Sequence, residues 1–123
     1  WRGTVQHIVS NAIKYLKDKY YINPKNIIAV ICPGISEEAF EVGDEVYAAF
    51  TDAGFDMERI ARRYEKWHLA LWEANRLQLL AKGVKEENIE VAGICTYNRC
   101  DDFFSARRLG IKSGRILSGI CMW

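Results

Sequence analysis

An unbroken apolar run at residues 27–32, Ile-Ile-Ala-Val-Ile-Cys, constrains the fold of this chain more than any other stretch. A strand with one face in water alternates apolar and polar residues, whereas a strand covered on both faces is apolar throughout. The run therefore predicts a strand covered on both faces and ended by Pro33 and Gly34. Such a strand needs helices against it, which predicts an α/β fold.

Helical spacing of apolar residues predicts helices over three segments, at residues 4–20, 44–50 and 67–82. Short apolar runs predict two more strands, at residues 90–94 and 116–123. A sheet with so few strands would leave an edge and a face uncovered, which predicts further sequence beyond this chain. The chain also opens on Trp1 without an initiating Met or a signal segment, so we expect a fragment of a longer protein.

The overall composition excludes several classes of partner. The 123 residues are enough for one small domain, and a net charge of +1 gives no reason to expect a nucleic-acid surface. No apolar run approaches the roughly 20 residues that a membrane-spanning helix needs. The segment at residues 52–65 has a mixed pattern that predicts no single element.

The cysteines and histidines do not have the spacing of a metal site. Neither histidine has a second ligand four residues away, and the cysteines lack the paired short spacing of a zinc site. We therefore interpret the cysteines as reduced, mostly buried residues of a cytoplasmic protein. The residues concerned are His7, His68, Cys32, Cys95, Cys100 and Cys121.

Residues 95–115 are the most unusual connection in the chain, because they combine four arginines with two adjacent phenylalanines. Arg107 and Arg108 are neighbours, and adjacent guanidinium groups repel unless an anion, a carboxylate or water separates them. Arginine matches the geometry of phosphate and carboxylate, so one interpretation is an anion-binding segment. The alternative is that the arginines are simply solvated.

Two polar residues elsewhere are further candidates. Glu41 lies between apolar residues close to Gly43, where the backbone can approach a ligand, although most such glutamates are surface caps. Asn75 lies near the inner face of the third predicted helix, so its amide either holds a neighbouring loop or contacts a ligand.

Seven stretches, taken in order, resemble one family. It was long called multicopper polyphenol oxidase or laccase-like, and it is now described as purine nucleoside phosphorylase with adenosine deaminase activity. The stretches are Trp1-Arg2-Gly3-Thr4, Pro33-Gly34-Ile35-Ser36, Phe40-Glu41-Val42-Gly43-Asp44-Glu45-Val46, Leu71-Trp72-Glu73-Ala74-Asn75-Arg76-Leu77-Gln78-Leu79 with Gly83-Val84, Cys95-Thr96, Phe103-Phe104-Ser105-Ala106-Arg107-Arg108 and Ser113-Gly114-Arg115. Three positions depart from the family pattern, at Cys32, Ala70 and Leu109.

The resemblance implies a mixed β-sandwich flanked by helices, of which residues 1–123 would be the C-terminal part of a single domain. It implies phosphorolysis of adenosine, inosine or methylthioadenosine, so purine nucleoside and phosphate are the expected partners. Arg2, Arg107, Arg108 and Arg115 become candidates for the phosphate and ribose side, and Phe104 for packing against the base. Ser105 would supply a hydroxyl, while Glu41 and Asn75 would bond ribose or orient an arginine.

The resemblance also implies zinc-dependent deamination of adenosine. The zinc ligands of the family, two histidines and a cysteine, lie upstream of the segment that this chain matches, so no metal ligand is expected within it. Two alternatives remain open at this stage: a copper-dependent polyphenol oxidase, and a catalytically inactive fragment. The oligomeric state is not predicted.

Overall fold

The computed structural model describes residues 1–122 and confirms the α/β class predicted from the sequence. Its helices are α1 (Arg2–Val5), α2 (Ile8–Tyr20), α3 (Asp44–Asp52), α4 (Met57–Ile60), α5 (Leu71–Ala81) and α6 (Ala106–Leu109). Its strands are β1 (Ala29–Ile31), β2 (Glu41–Val42), β3 (Ala61–Arg63), β4 (Trp67–Leu69) and β5 (Ile89–Val91). No helix in the described part of the chain is long and apolar enough to cross a membrane.

The strands form two separate small sheets. In the parallel sheet, β1 pairs with β5, and Ala29 lies opposite Ile89. In the antiparallel sheet, β4 lies between β2 and β3, with His68 opposite both Glu41 and Arg62. A bridge between Gly34 and Cys95 extends the parallel pairing beyond the end of β1.

The main core lies between the antiparallel sheet and the helices α3, α4 and α5. Phe50, Ile60 and Leu69 are completely buried there. Helix α3 has the apolar spacing that the sequence predicts, and Val46 and Phe50 are the residues it buries. This core closes without contributions from outside the chain.

The parallel sheet is covered on one face only. Ala29 and Ile89 pack with Ile27 against a second cluster of Ile13, Leu79 and Val84 from the helical side. The alternate residues Ile28, Val30 and Cys32 are exposed on the other face. The prediction that this strand is covered on both faces is therefore wrong for the chain by itself, because no described element packs on the outer face.

Three other boundaries differ from prediction. The helix expected over residues 4–20 breaks at His7, which has a left-handed backbone (φ 56°). The helix expected over residues 67–82 begins only at Leu71, because Trp67–Leu69 pair as β4 between two strands. Residues 116–122 form no strand, since they have no ladder partner in the described chain, and Trp123 lies outside the described residues.

Candidate functional site

The sharpest concentration of candidate residues lines a cavity of about 280 Å³, here called the C-terminal cavity. Phe104, Ser105 and Arg107 form one side of it. The remaining wall comes from Ile35, Phe40, Thr96 and Ala106. The cavity therefore joins the segment before α6 to the ends of both sheets.

Arg107 is held in place by the antiparallel sheet. Its Nη1 donates a hydrogen bond to the carbonyl oxygen of Glu41 at 2.6 Å, and its guanidinium lies 5.1 Å from the centre of the Phe40 ring. That hydrogen bond uses one of the five N–H donors of the guanidinium. The donors that remain at the cavity wall can receive an anion in the forked geometry that arginine favours.

Glu41 orients Arg107 through its backbone rather than through its side chain. Its carboxylate instead forms an ion pair with Lys66, at 3.1 Å between Oε1 and Nζ. Both side chains are exposed, so this pair contributes little to stability. The Glu41 backbone carbonyl thus orients Arg107, while the Glu41 side chain, which is exposed and paired with Lys66, fits the alternative of a surface residue.

Two buried hydroxyl residues, Ser105 and Thr96, lie on the cavity wall. Ser105 caps α6, where its Oγ accepts a hydrogen bond from the backbone N–H of Arg108 at 3.4 Å. Accepting that bond leaves the hydroxyl hydrogen available for donation. Thr96 is fixed by its own backbone N–H, which donates to the carbonyl oxygen of Gly34 at 3.0 Å.

Cys95 supports Thr96 from the buried side. Its Sγ accepts a hydrogen bond from the backbone N–H of Ser36 at 3.4 Å. Burial raises the pKa of the Cys95 thiol, but hydrogen bonds from Ser36, Asn98 and Tyr97 outweigh burial, so the pKa lies below its usual value. This thiol is buried, in agreement with its interpretation from the sequence, but Cys32 and Cys121 are exposed and Cys100 is half-buried, so the prediction that the cysteines are mostly buried is wrong for this chain.

Phe104 forms an exposed aromatic wall, and Gly114 lies directly against it. A Cβ atom added at Gly114 would come within 2.8 Å of the Phe104 ring. Real side chains do not approach so closely, so any larger residue at this position has to displace the ring. The absence of a side chain at Gly114 thus sets where Phe104 lies relative to the cavity.

The other candidate arginines do not line the C-terminal cavity. Arg108 lies 5.0 Å from the centre of the Tyr97 ring and donates to the Tyr97 carbonyl oxygen at 3.4 Å. Arg115 donates to the carbonyl oxygens of Ser113 and Gly114. Arg2 lies over Trp1, 5.2 Å from the ring centre. Of the four candidate arginines, the described structure therefore places only Arg107 on the wall of the C-terminal cavity.

Asn75 lies in a different place, on the wall of a cavity of about 390 Å³ between α5 and β1. Its Nδ2 donates to Thr4 Oγ1 at 3.4 Å, and its Oδ1 accepts from Gln78 Nε2 at 3.4 Å. These contacts fix α1 against α5. Of the two roles predicted for Asn75, the geometry fits the structural one.

The residues of this chain do not fit a metal centre. Within residues 1–122, no group of three or more His, Cys, Asp or Glu side chains is arranged to hold an ion. His7 Nε2 lies 2.9 Å from the Ala53 carbonyl oxygen, and His68 Nδ1 lies 2.9 Å from that of Glu37. Both histidines are thus tied to the backbone, and His68 lies in β4 rather than on a helix as the sequence indicated.

Besides Ala106, which lies between the predicted residues Ser105 and Arg107, the sequence interpretation missed three wall residues, namely Ile35, Phe40 and Thr96. All three lie inside the stretches that carried the family resemblance, so a signal was present. Nothing in the local pattern distinguishes them from core residues, and only the meeting of the two sheet ends places them beside Arg107.

Comparison with known proteins agrees with the fold. The family model for multi-copper polyphenol oxidoreductase laccase matches residues 1–123. A protein from Bacteroides thetaiotaomicron named purine nucleoside phosphorylase is 54% identical over 123 residues, which cover 98% of this chain and 46% of that protein. A protein named adenosine deaminase RL5, from an unknown prokaryotic organism, is 41% identical over 123 residues, which cover 98% of this chain and 47% of that protein.

Solved structures show the same arrangement of elements. The hypothetical protein YfiH of Bacillus licheniformis superposes with a TM-score of 0.77 at 30% identity, over 88% of this chain and 42% of that one. YlmD of Geobacillus stearothermophilus gives a TM-score of 0.76 at 34% identity, over 88% of this chain and 41% of that one. The chain spans about half the length of the curated relatives that it matches. With its whole length matched and its fold shared, the chain belongs to the multi-copper polyphenol oxidoreductase laccase family.

Proposed function

We propose that this chain supplies one wall of the active site of a purine nucleoside phosphorylase. The observation that carries the proposal is the C-terminal cavity, where a fixed arginine, two hydroxyl residues and an aromatic ring meet. Relatives named purine nucleoside phosphorylase support the reaction class. The rest of the active site would come from the part of the family fold that this chain does not span.

Arg107 would bind the phosphate. Phosphorolysis needs cationic donors that hold an oxyanion close to the sugar, and the bond to Glu41 fixes the guanidinium before the anion arrives. A charge-assisted hydrogen bond of this kind contributes about 1.5–3 kcal/mol. Lysine would keep the charge but lose the fork, so the exchange is not conservative here.

Phe104 and Phe40 would supply apolar surface for the nucleoside, and the hydroxyl of Ser105 would donate to a phosphate or ribose oxygen. In the reaction, a phosphate oxygen forms a bond to C1′ of the ribose as the bond from C1′ to the purine nitrogen breaks. The electron pair leaves with the purine, which takes up a proton. The products are the free base and ribose 1-phosphate.

Deamination of adenosine is a second candidate, because one relative is named adenosine deaminase. A zinc ion would supply an activated water for this reaction. Its ligands would have to lie outside this chain, since residues 1–122 hold no suitable group. The copper-dependent oxidation of phenols gains no support from the donor set of this chain for the same reason.

The test is a chimera in which this chain replaces the matching segment of the Bacteroides thetaiotaomicron relative. With inosine and phosphate we expect hypoxanthine and ribose 1-phosphate. Arg107→Ala should lower kcat/KM about 100-fold or more, because an oriented donor to the reacting anion is lost. Arg107→Lys should recover only part of the loss.

Lys112→Ala is the matched control, since it removes an exposed positive charge from the same segment and should leave the rate unchanged. Equal rates for Arg107→Ala and the parent chimera would refute the role of Arg107. A metal-loaded chimera that releases no base in phosphate would refute the phosphorylase assignment. Inosine formed from adenosine without phosphate would identify the deaminase.

A further inference from the structure

The C-terminal cavity is built from segments that are far apart along the chain. Ile35 and Phe40 come from the segment after β1, whereas Thr96 comes from the segment after β5. Two backbone hydrogen bonds join these segments. The Gly34 N–H donates to the Ile94 carbonyl oxygen at 3.1 Å, and the Thr96 N–H donates to the Gly34 carbonyl oxygen at 3.0 Å. Neither bond depends on a side chain.

A third contact between the two segments depends on one side chain, that of Cys95. Its Sγ accepts a hydrogen bond from the backbone N–H of Ser36 at 3.4 Å, between residues 59 positions apart. Ser36 is 5% exposed and Cys95 is 9% exposed, so the contact is shielded from water. Within residues 1–122 no backbone carbonyl accepts the Ser36 N–H, and the thiol is therefore the group that satisfies this buried donor.

Ser36 connects this contact with the opposite wall of the cavity. Its carbonyl oxygen accepts a hydrogen bond from the Phe40 N–H at 2.9 Å. The centre of the Phe40 ring lies 5.1 Å from the guanidinium of Arg107. Since Cys95 also precedes Thr96 directly, its sulfur joins the wall that contains Thr96 to the wall that holds Arg107.

The two exposed cysteines make only local sulfur contacts. The Cys32 thiol lies 4.0 Å from the Val30 carbonyl oxygen, and the Cys121 thiol lies 3.6 Å from that of Met122. Cys95 differs because its contact crosses between segments. It does not line the C-terminal cavity itself, so any effect on a bound molecule has to act through its neighbours.

We propose that Cys95 is a positioning residue of the proposed active site. By accepting the Ser36 N–H, its sulfur fixes Phe40 and, through Phe40, holds Arg107 where the anion is bound. The inference rests on the proposed function of the C-terminal cavity. An apolar side chain of similar size would fill the same space but would accept no hydrogen bond, so packing alone does not supply this role.

Two substitutions of Cys95 separate hydrogen bonding from packing. Cys95→Ala removes the acceptor and leaves the Ser36 N–H unpaired, whereas Cys95→Ser keeps an acceptor on a shorter bond. If the thiol only fills space, serine should be at least as damaging as alanine, because a free cysteine packs as a small apolar residue and a buried hydroxyl is costly. If the thiol positions Ser36, serine should be the milder substitution.

The experiment uses the chimera described above, with inosine and phosphate. Cys95→Ala should lower kcat/KM for phosphate about tenfold and Cys95→Ser no more than about threefold, because a displaced donor binds the reacting anion less well. When Arg107→Ala is already present, Cys95→Ala should lower it by less than about twofold, since Cys95 acts through Arg107. Cys100→Ala is the matched control, because it makes the same exchange at a half-buried thiol outside the cavity and should leave the rate unchanged.

Hydrogen exchange followed by mass spectrometry gives a readout that does not depend on activity. In Cys95→Ala, the backbone amides of residues 36–40 should exchange at least about threefold faster than in the parent chimera, because the Ser36 N–H has lost its acceptor. The amides of α3 should exchange at the parent rate, which also shows that the variant is folded. Cys95→Ser should lie between the parent and Cys95→Ala.

Three results in an active chimera would overturn the inference. The first is an equal kcat/KM for Cys95→Ala and the parent. The second is a loss for Cys95→Ser as large as that for Cys95→Ala. The third is a further tenfold loss when Cys95→Ala is added to Arg107→Ala. A parent chimera that releases no base refutes the proposed function instead, and unchanged exchange at residues 36–40 would then refute the positioning by Cys95 separately.

Discussion

The two sheets of this molecule contrast in how completely the chain buries them. The antiparallel sheet has three strands, and its side chains meet α3, α4 and α5 in a closed core with Phe50, Ile60 and Leu69 fully buried. The parallel sheet has two strands and buries one face, while Ile28 and Val30 remain exposed on the other. The strands of the parallel sheet are the more apolar of the two sets, yet they are the less buried. Composition therefore sets which residues are suited to burial, and the available neighbours decide which of them are buried.

The C-terminal cavity lies where the two sheets meet. Phe40 belongs to the closed core, whereas Thr96 follows the end of the parallel pairing at Cys95. Arg107 is anchored to the antiparallel side through Glu41. The well-packed sheet therefore fixes the charged group of the proposed site, and the open sheet supplies part of the wall.

The largest expected effect tests the contrast directly. Ile60→Ala on the closed side should cost about 2–5 kcal/mol of the free energy of unfolding, because a completely buried side chain leaves a cavity. Ile28→Ala on the outer face of β1 should change it by less than about 0.5 kcal/mol in the chain alone. Urea unfolding followed by circular dichroism measures both.

Equal costs for the two isoleucines would contradict the contrast.

A smaller effect is expected at the wall of the cavity. Gly114→Ala should displace the Phe104 ring, because the new Cβ would lie within 2.8 Å of it. In the chimera we expect KM for the nucleoside to rise about three- to tenfold, in line with the energy of one aromatic contact, with kcat less affected. Steady-state kinetics with inosine measure the change.

Gly3→Ala is the control for Gly114→Ala. A Cβ there would meet only Ile8 Cγ2, at an ordinary 3.5 Å, and Gly3 lies outside the C-terminal cavity. An unchanged KM for Gly114→Ala would show that the ring position does not matter for the nucleoside.

The smallest effect concerns the ion pairs that connect α4, α5 and the segment before β5. Glu73 on α5 binds Arg76 at 2.8 Å and Arg59 of α4 at 3.1 Å, and Arg76 also binds Glu86 before β5 at 2.8 Å. The hydrogen bond from Arg76, opposed by burial and assisted by both positive charges, holds the pKa of Glu73 below its usual 4.5.

Because this pKa is lowered by folding, the stabilisation is complete above the usual pKa of glutamate and is lost as the pH falls through the folded value. Glu73→Gln should therefore lower stability at pH 7 by no more than about 1 kcal/mol and should flatten its decline below pH 4.5. Urea titrations between pH 3 and pH 7 check this, and salt at about 0.5 M should shrink the difference. A steeper acid decline in Glu73→Gln would contradict it.

Much of the fold could be predicted from local patterns. The α/β class, α3 and the strand at residues 29–31 follow from apolar spacing, which is a local property of the chain. The pattern failed at residues 67–69, where β4 precedes α5, because three residues are too few to reveal a period of two. It gave no assignment over residues 52–65, where α4 and β3 follow one another within seven residues.

The candidate site was less predictable than the fold. The four candidate arginines were equivalent in sequence, but only Arg107 lines the cavity. Arg108 donates a hydrogen bond to the Tyr97 carbonyl oxygen, and Arg115 donates one to the neighbouring Gly114 carbonyl oxygen. Adjacent residues of a short helix such as α6 point in different directions, and the sequence alone does not say which direction faces a cavity.

The sequence by itself determined which segments are apolar, and ordered motifs along it determined the family. It also determined that residues 28, 30 and 32 are apolar and suited to burial, although the described chain leaves them exposed. Only the tertiary structure decided that Arg107 lies beside Ser105 and Thr96 on the wall of the C-terminal cavity. It also decided that Asn75 lies outside this cavity and donates a hydrogen bond to Thr4. The reason is physical: apolar pattern is carried by each segment, whereas a site depends on distances between segments that meet only after the sheets and helices pack.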